Sequence, residues 1–256
     1  MTIRLHFVDS FAVVTVDRPE ALNALNFQML EEFSRAVDEI RESHAAGVVV
    51  VGAGDRAFCA GADVVELRER APEQHLGGAA FGQQAFAKLA DLPLPSVAVI
   101  RGPALGGGLE LAMACTYRVA ISGAKLGLPE IKLGLIPGYG GTQRLPRIVG
   151  TEKALVMISS GRAITAEEAH EISLVDEVVP EGDAVEIGVR YLHTASKGYP
   201  ASVHLARQAV KAASMLDIQA GLQLEAKLFA RAVETSDARE GMQAFVEKRA
   251  PQFQGR

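Results

Sequence analysis

The sequence predicts an α/β fold with a helical C-terminal part. Short apolar runs closed by turn residues alternate with helical periodicities along most of the chain. Two runs, Val48–Val51 and Ser96–Ile100, are apolar on both faces, as strands inside a parallel sheet are. Beyond about residue 183 strand signals stop and only helical spacing continues.

The elements follow in order. Residues 3–8 and 11–16 read as two strands joined at Asp9-Ser10. From Asn26 to Glu42, Phe27, Leu30, Phe33, Val37 and Ile40 recur at helical spacing with charges between them. Gly47 opens the strand Val48–Val51. Residues 64–90 are helical in spacing but polar, and carry Gly77-Gly78. Pro93 and Pro95 lead into the strand Ser96–Ile100. Gly106–Gly108 precede Leu109–Cys115, a helix apolar all round except at Glu110. Val119–Ser122 is a short strand, and Gly127–Gly141 is rich in glycine and turns. Residues 151–160 and 165–172 are helical, and Leu174–Val179 is a strand. The remaining helices are predicted at 184–197, 201–214, 217–234 and 237–248. The chain therefore divides into a core, 1–195, that holds any active site, and a helical region, 196–256.

Bulk properties exclude several classes. Of 256 residues 48% are apolar and 22% charged, which suits a folded chain rather than a disordered one. The net charge of −5 argues against general nucleic-acid affinity, which needs a basic face. The two cysteines, Cys59 and Cys115, form no C-x-x-C, so zinc ribbons and dithiol motifs are not expected and a reducing cytoplasm is. Neither a signal-peptide core nor a membrane span is visible.

Two motif readings fail on context. Gly52-Ala-Gly54-Asp-Arg-Ala57 matches G-x-G-x-x-A after a strand, but the helix that a dinucleotide site requires is replaced by Cys59-Ala-Gly61. No phosphate-binding G-x-x-x-x-G-K-[ST] and no serine-hydrolase G-x-S-x-G occurs, and the histidines are scattered.

Three segments stand out: Phe58-Cys-Ala-Gly-Ala-Asp63, Gly102-Pro-Ala-Leu-Gly-Gly-Gly-Leu-Glu110, and Leu128-Pro-Glu130 running on to Arg144. Glu110 is a carboxylate in the first turn of an apolar helix. It is either an acid meeting the helix dipole or a buried group with a raised pKa, fit for proton transfer. The three glycines before it form a tight turn, or let a carbonyl approach bare amides at a helix start. The Ala60-Gly-Ala loop could add a second amide. Glu130, after Pro129, is an exposed loop acid or the second of two carboxylates dividing acid and base roles.

Together these segments resemble the crotonase superfamily, the enoyl-CoA hydratase/isomerase family. The resemblance extends from Val16-Asp-Arg-Pro-Glu-Ala-Leu-Asn-Ala-Leu25 to Phe245-Val-Glu-Lys-Arg249. It implies a spiral of ββα units with a helical C-terminal trimerisation region, and a homotrimer or a hexamer of paired trimers. It implies that Ala60 and Gly107 donate amide hydrogen bonds to a thioester oxygen, and that Ala60, Gly61, Ala62, Asp63 and Gly107 contact an acyl-CoA substrate. Glu110 would activate water and Glu130 would deliver a proton to carbon 2. Coenzyme A would be part of the substrate, with no metal or redox cofactor. Both glutamates favour hydration of a trans-2-enoyl-CoA over double-bond isomerisation or another acyl-CoA reaction on this fold. A non-catalytic, RNA-binding member is the reading from another class, and a salt-sensitive RNA gel shift would reveal it. Thr116 departs from the aspartate common at its position, which points to local hydrogen bonding there rather than to a change of reaction.

Overall fold

The computed structural model describes residues 2–196, 201–213 and 215–254. Two compact units form, Met1–Leu192 and His193–Arg256.

In the first unit β1 (Ile3–Val8) and β2 (Phe11–Val16) pair antiparallel, with Asp9 in the left-handed region at the turn. Helix α1 (Phe27–Glu42) starts at Asn26, whose side chain accepts from the Met29 amide. It buries Leu30, Phe33, Val37 and Ile40 of the stripe predicted from spacing and adds Met29, while Phe27 at its first turn is half-buried. Then come β3 (Gly47–Gly52), α2 (Val64–Glu69), α3 (Gln74–Ala90), β4 (Ser96–Ile100), β5 (Pro103–Leu105) and α4 (Gly107–Ala114). They are followed by β6 (Tyr117–Ile121), β7 (Lys125–Gly127), α5 (Gly141–Val149), α6 (Thr151–Ser160), β8 (Ile164–Thr165), α7 (Ala166–Glu171) and β9 (Glu177–Val179).

The larger sheet runs β1-β2-β3-β4-β6-β9, parallel from β2 onward. Helical crossovers are what parallel neighbours require. The valine runs have no polar face because both faces are covered. Val48, Val50, Ala98 and Ile100 pack towards α1 and α4, whereas Val49, Val51, Val97 and Val99 pack on Ile187 and Leu192. A second, smaller sheet runs β5-β7-β8. Single bridges, Cys59 to Ala104 and Leu25 to Ala62, extend its edge. Successive turns of chain thus place one segment in each sheet, and the loops leaving the smaller sheet carry the glycine-rich motifs.

Two polar contacts lock this unit. Thr116 and Ser96 hydrogen-bond reciprocally through hydroxyls and amides, the local bonding expected at Thr116. Buried Glu32 on α1 accepts from the amides of Thr2 and Ile3 and from Gln28. Burial pushes its carboxyl up, but these donors outweigh that and hold it at about 2. The sign follows: a depressed folded value gives stability that is complete above the unfolded value and is lost as pH falls towards 2. Glu32→Gln is expected to lower stability by about 1–3 kcal/mol at pH 7 and by less in acid. Urea unfolding at the two pH values checks this; an equal loss at both would contradict it.

Helix α8 (Ala184–Ser196) straddles the division between the units, and residue 197 of the predicted helix lies outside the described residues. The second unit contains α9 (Ala201–Ala212), α10 (Ile218–Val233) and α11 (Ser236–Glu247), packed on one another. Residue 214, the predicted end of the α9 segment, also lies outside the described residues. Asp217 and Thr235 cap the last two helices. Among the described residues no helix is long and apolar enough to cross a membrane.

Candidate active site

Helix α4 is buried on every side, so its one charged residue has nowhere to go but inward. Glu110 is 1% exposed. Its Oε1 accepts two amide hydrogen bonds, from Tyr139 (2.8 Å) and Gly141 (2.7 Å). Burial lifts its carboxyl to about 7; the Gly141 amide opposes the rise, the Glu130 charge adds to it, and the Tyr139 amide and Arg144 oppose it. A carboxylate poised near neutrality can both take and release a proton.

Glu130 opens a short 3-10 turn, Glu130–Leu133, directly after β7 and Pro129. It is half-buried, and its Oε2 is shielded without a hydrogen-bond partner among the described residues. Burial raises its carboxyl above the ordinary value. The two glutamates differ in one decisive way. Glu110 is met by N–H donors that favour the anion, whereas the bare oxygen of Glu130 favours a proton.

The three glycines before Leu109 have three reasons. Gly106 sits at φ 49, and a Cβ there would stand 2.9 Å from Glu130 Oε1. At Gly107 a Cβ would stand 3.2 Å from the Tyr139 ring and 3.3 Å from the Ala62 nitrogen. At Gly108 it would overlap the Cys59 carbonyl. Gly107 begins α4, so its N–H has no intrahelical acceptor.

The Ala60–Asp63 loop departs from expectation at one residue. The Ala60 N–H donates to the Leu22 carbonyl (3.0 Å), so it is not free to bind a thioester oxygen. Leu22 and Asn23 are both left-handed, and Asn23 holds that turn by bonding the carbonyls of Ala53 and Ala57. The Ala62 N–H has no acceptor among the described residues and lies beside Gly107. The Gly61 carbonyl accepts from Leu25, and Gly61 passes close to the Leu105 carbonyl at φ 120. Asp63 caps α2 through the Val65 and Glu66 amides and pairs with Arg18 at 2.6 Å. The Arg18 guanidinium holds its carboxyl below the usual range. Asp63 is therefore engaged in shaping the loop.

Tyr139, Gly141 and Arg144 were not singled out in the sequence. Tyr139 is buried edge-on against Phe86 and packs so tightly on Gly82 of α3 that a Cβ there would overlap its ring. Arg144 donates to the Tyr139 carbonyl at 2.8 Å. No spacing rule announces amide donors in a turn-rich stretch; the crowd of glycines from 134 to 141 was the available signal. Cys59 and Cys115 are both buried and free, with thiols pushed up to about 12 by burial, and so are inert. Among the described residues no cluster of three His, Cys, Asp or Glu side chains forms a metal site.

Comparison with known proteins adds a family match: the model described as enoyl-CoA hydratase/isomerase fits residues 6–256. The chain is 39% identical to a short-chain-enoyl-CoA hydratase of Clostridium acetobutylicum, covering 93% of this chain and 92% of that one. It is 39% identical to a crotonyl-CoA hydratase of Syntrophomonas wolfei, covering 96% and 95%. The crystal structure of an enoyl-CoA hydratase from Bacillus anthracis superposes with a TM-score of 0.93 at 37% identity, over the whole of both chains.

Proposed function

As the chain belongs to the enoyl-CoA hydratase/isomerase family, we propose that it is an enoyl-CoA hydratase, adding water reversibly and syn across the 2,3 double bond of a trans-2-enoyl-CoA. The product is the 3-hydroxyacyl-CoA. The observation that carries this reading is the pairing of two shielded carboxylates, Glu110 and Glu130, around the Gly106 turn.

The chemistry follows from their surroundings. A thioester carbonyl draws electrons from the conjugated double bond, so carbon 3 accepts water. Charge then builds on the thioester oxygen as an enolate. The amides of Ala62 and Gly107 are the donors for that oxygen, in place of Ala60, whose N–H is already committed. Each donor aimed at developing charge lowers the barrier by about 3 kcal/mol. Glu110, anchored on one oxygen by two amides, takes the proton from water with the other. Glu130 delivers a proton to carbon 2 from its unpartnered oxygen. Dehydration reverses the roles. Water and two carboxylates complete the step, with coenzyme A as part of the substrate.

Tyr139 packs on Gly82 and Phe86 of α3, and the acyl chain would run beside this wall. In the second unit Phe229, Phe245 and Val246 are exposed, which supports a trimer, alone or paired into a hexamer. A cytoplasmic site of action fits the buried, unoxidised cysteines.

The test is the enoyl-thioester absorbance of crotonyl-CoA mixed with purified protein. Rapid loss of the band is expected. Migration of a 3,4 double bond into conjugation, with no hydration of short, long or branched 2-enoyl-CoAs, would replace the hydratase with an isomerase.

A further inference from the structure

We infer that Arg144 is a positioning residue for Glu110, pinning the Tyr139–Gly141 turn whose amides hold the carboxylate and adding a positive charge behind it. This rests on the hydration reading above.

The geometry is a relay of short bonds. The Arg144 guanidinium donates to the Tyr139 carbonyl at 2.8 Å. The amide of that same Tyr139 donates to Glu110 Oε1 at 2.8 Å, and the Gly141 amide donates at 2.7 Å. The turn between them is unusual backbone: Gly140 lies at φ 111, and a Cβ on it would overlap the guanidinium. The Arg144 amide closes the loop by donating to the Gly140 carbonyl at 2.8 Å. Its guanidinium is thus folded back over its own helix start. Bonds in series polarise one another, so a cation on the Tyr139 carbonyl strengthens the donor that Glu110 meets.

The charged groups around this relay are few. Glu110 faces Glu130, whose charge disfavours its anion, and Arg144, whose charge favours it. The Tyr139 phenol faces Arg70, Glu110 and Glu66. Arg144 in turn faces Glu110, Asp91 at the end of α3, and the neutral Cys115. Arg144 is the cation among the groups acting on Glu110. Its removal therefore takes away favourable charge and slackens the amide donors, and both changes disfavour the ionised base. An arginine with no hold on the turn and no charge felt at Glu110 would leave the titration of Glu110 unmoved.

The experiment is the pH profile of kcat and of kcat/KM for wild type, Arg144→Met and Arg144→Lys, with thermal unfolding of each as a control. The wild-type acid limb is expected near 7, where burial places Glu110. In Arg144→Met that limb is expected to move up by about one pH unit, with KM changed less than about twofold. Arg144→Lys keeps the charge but not the fork of donors, so its limb is expected between the two. If Arg144→Met does not fold, an upward shift in Arg144→Lys supports the inference alone. A limb that stays at the wild-type position in the folded variants overturns it. A wild type without hydratase activity would sink the reaction and the inference together. An active wild type with unmoved variants sinks only the role of Arg144.

Discussion

Glu110→Gln is expected to reduce the hydration rate by about 10²–10⁴-fold, the loss usual when a positioned general base is removed. Glutamine fits the same volume, and its carbonyl can still accept from the Tyr139 and Gly141 amides that hold Oε1. The helix and the turn should therefore stay in place. What disappears is the second oxygen, the one free to take a proton. Glu130→Gln is expected to be similarly slow for a different reason: an amide cannot deliver a proton to carbon 2. Acyl-CoA binding should survive in both variants, because neither carboxylate is proposed to hold the coenzyme. Steady-state kinetics with crotonyl-CoA, beside a direct binding titration, checks this. Near-normal turnover in either variant would end the two-carboxylate mechanism, whereas lost binding would place the residue in substrate recognition instead.

The readability of this protein from sequence depended on the length of its elements. α1, β2, β3 and β4 were evident because four or more apolar residues repeat a period or cover both faces. β5, β7 and β8 have three, three and two residues, too few for any period, so the smaller sheet emerged only in three dimensions. Glu110 stood out as the charge in an apolar helix. Glu130 gained meaning only from that partner. The misreading of Ala60 has a plain cause. Ala60 and Ala62 are the same residue type two positions apart, and which N–H is free depends on the left-handed turn at Leu22-Asn23. Nothing within Cys59-Ala-Gly-Ala-Asp63 reveals it. Asp63, expected at the ligand, caps α2 and pairs with Arg18.

Gly108→Ala should be nearly as damaging as losing a carboxylate, although Gly108 carries no chemistry. A Cβ there would overlap the Cys59 carbonyl oxygen and stand 2.8 Å from the carbonyl carbon. That neighbour is backbone, tied through Leu105 to the small sheet, so it cannot swing aside as a side chain could. The start of α4 must retreat by about an ångström, and a displacement of that size commonly costs about 10²-fold in rate. Gly107, whose N–H is proposed to meet the thioester oxygen, is the preceding residue, and Glu110 is two residues on. Both would shift together, one away from Ala62 and the other from the Tyr139 turn. Overpacking should also lower stability by about 1–3 kcal/mol. Gly77→Ala in α3 is the control, since nothing lies within 4 Å of the added methyl. There, alanine in place of glycine in a helix should add up to about 1 kcal/mol and leave kcat unchanged. Urea midpoints and kcat for both variants separate the cases. A Gly108→Ala protein that turns over like wild type would mean that α4 can shift without disturbing the proposed donors, and that the Gly107 amide is not one of them.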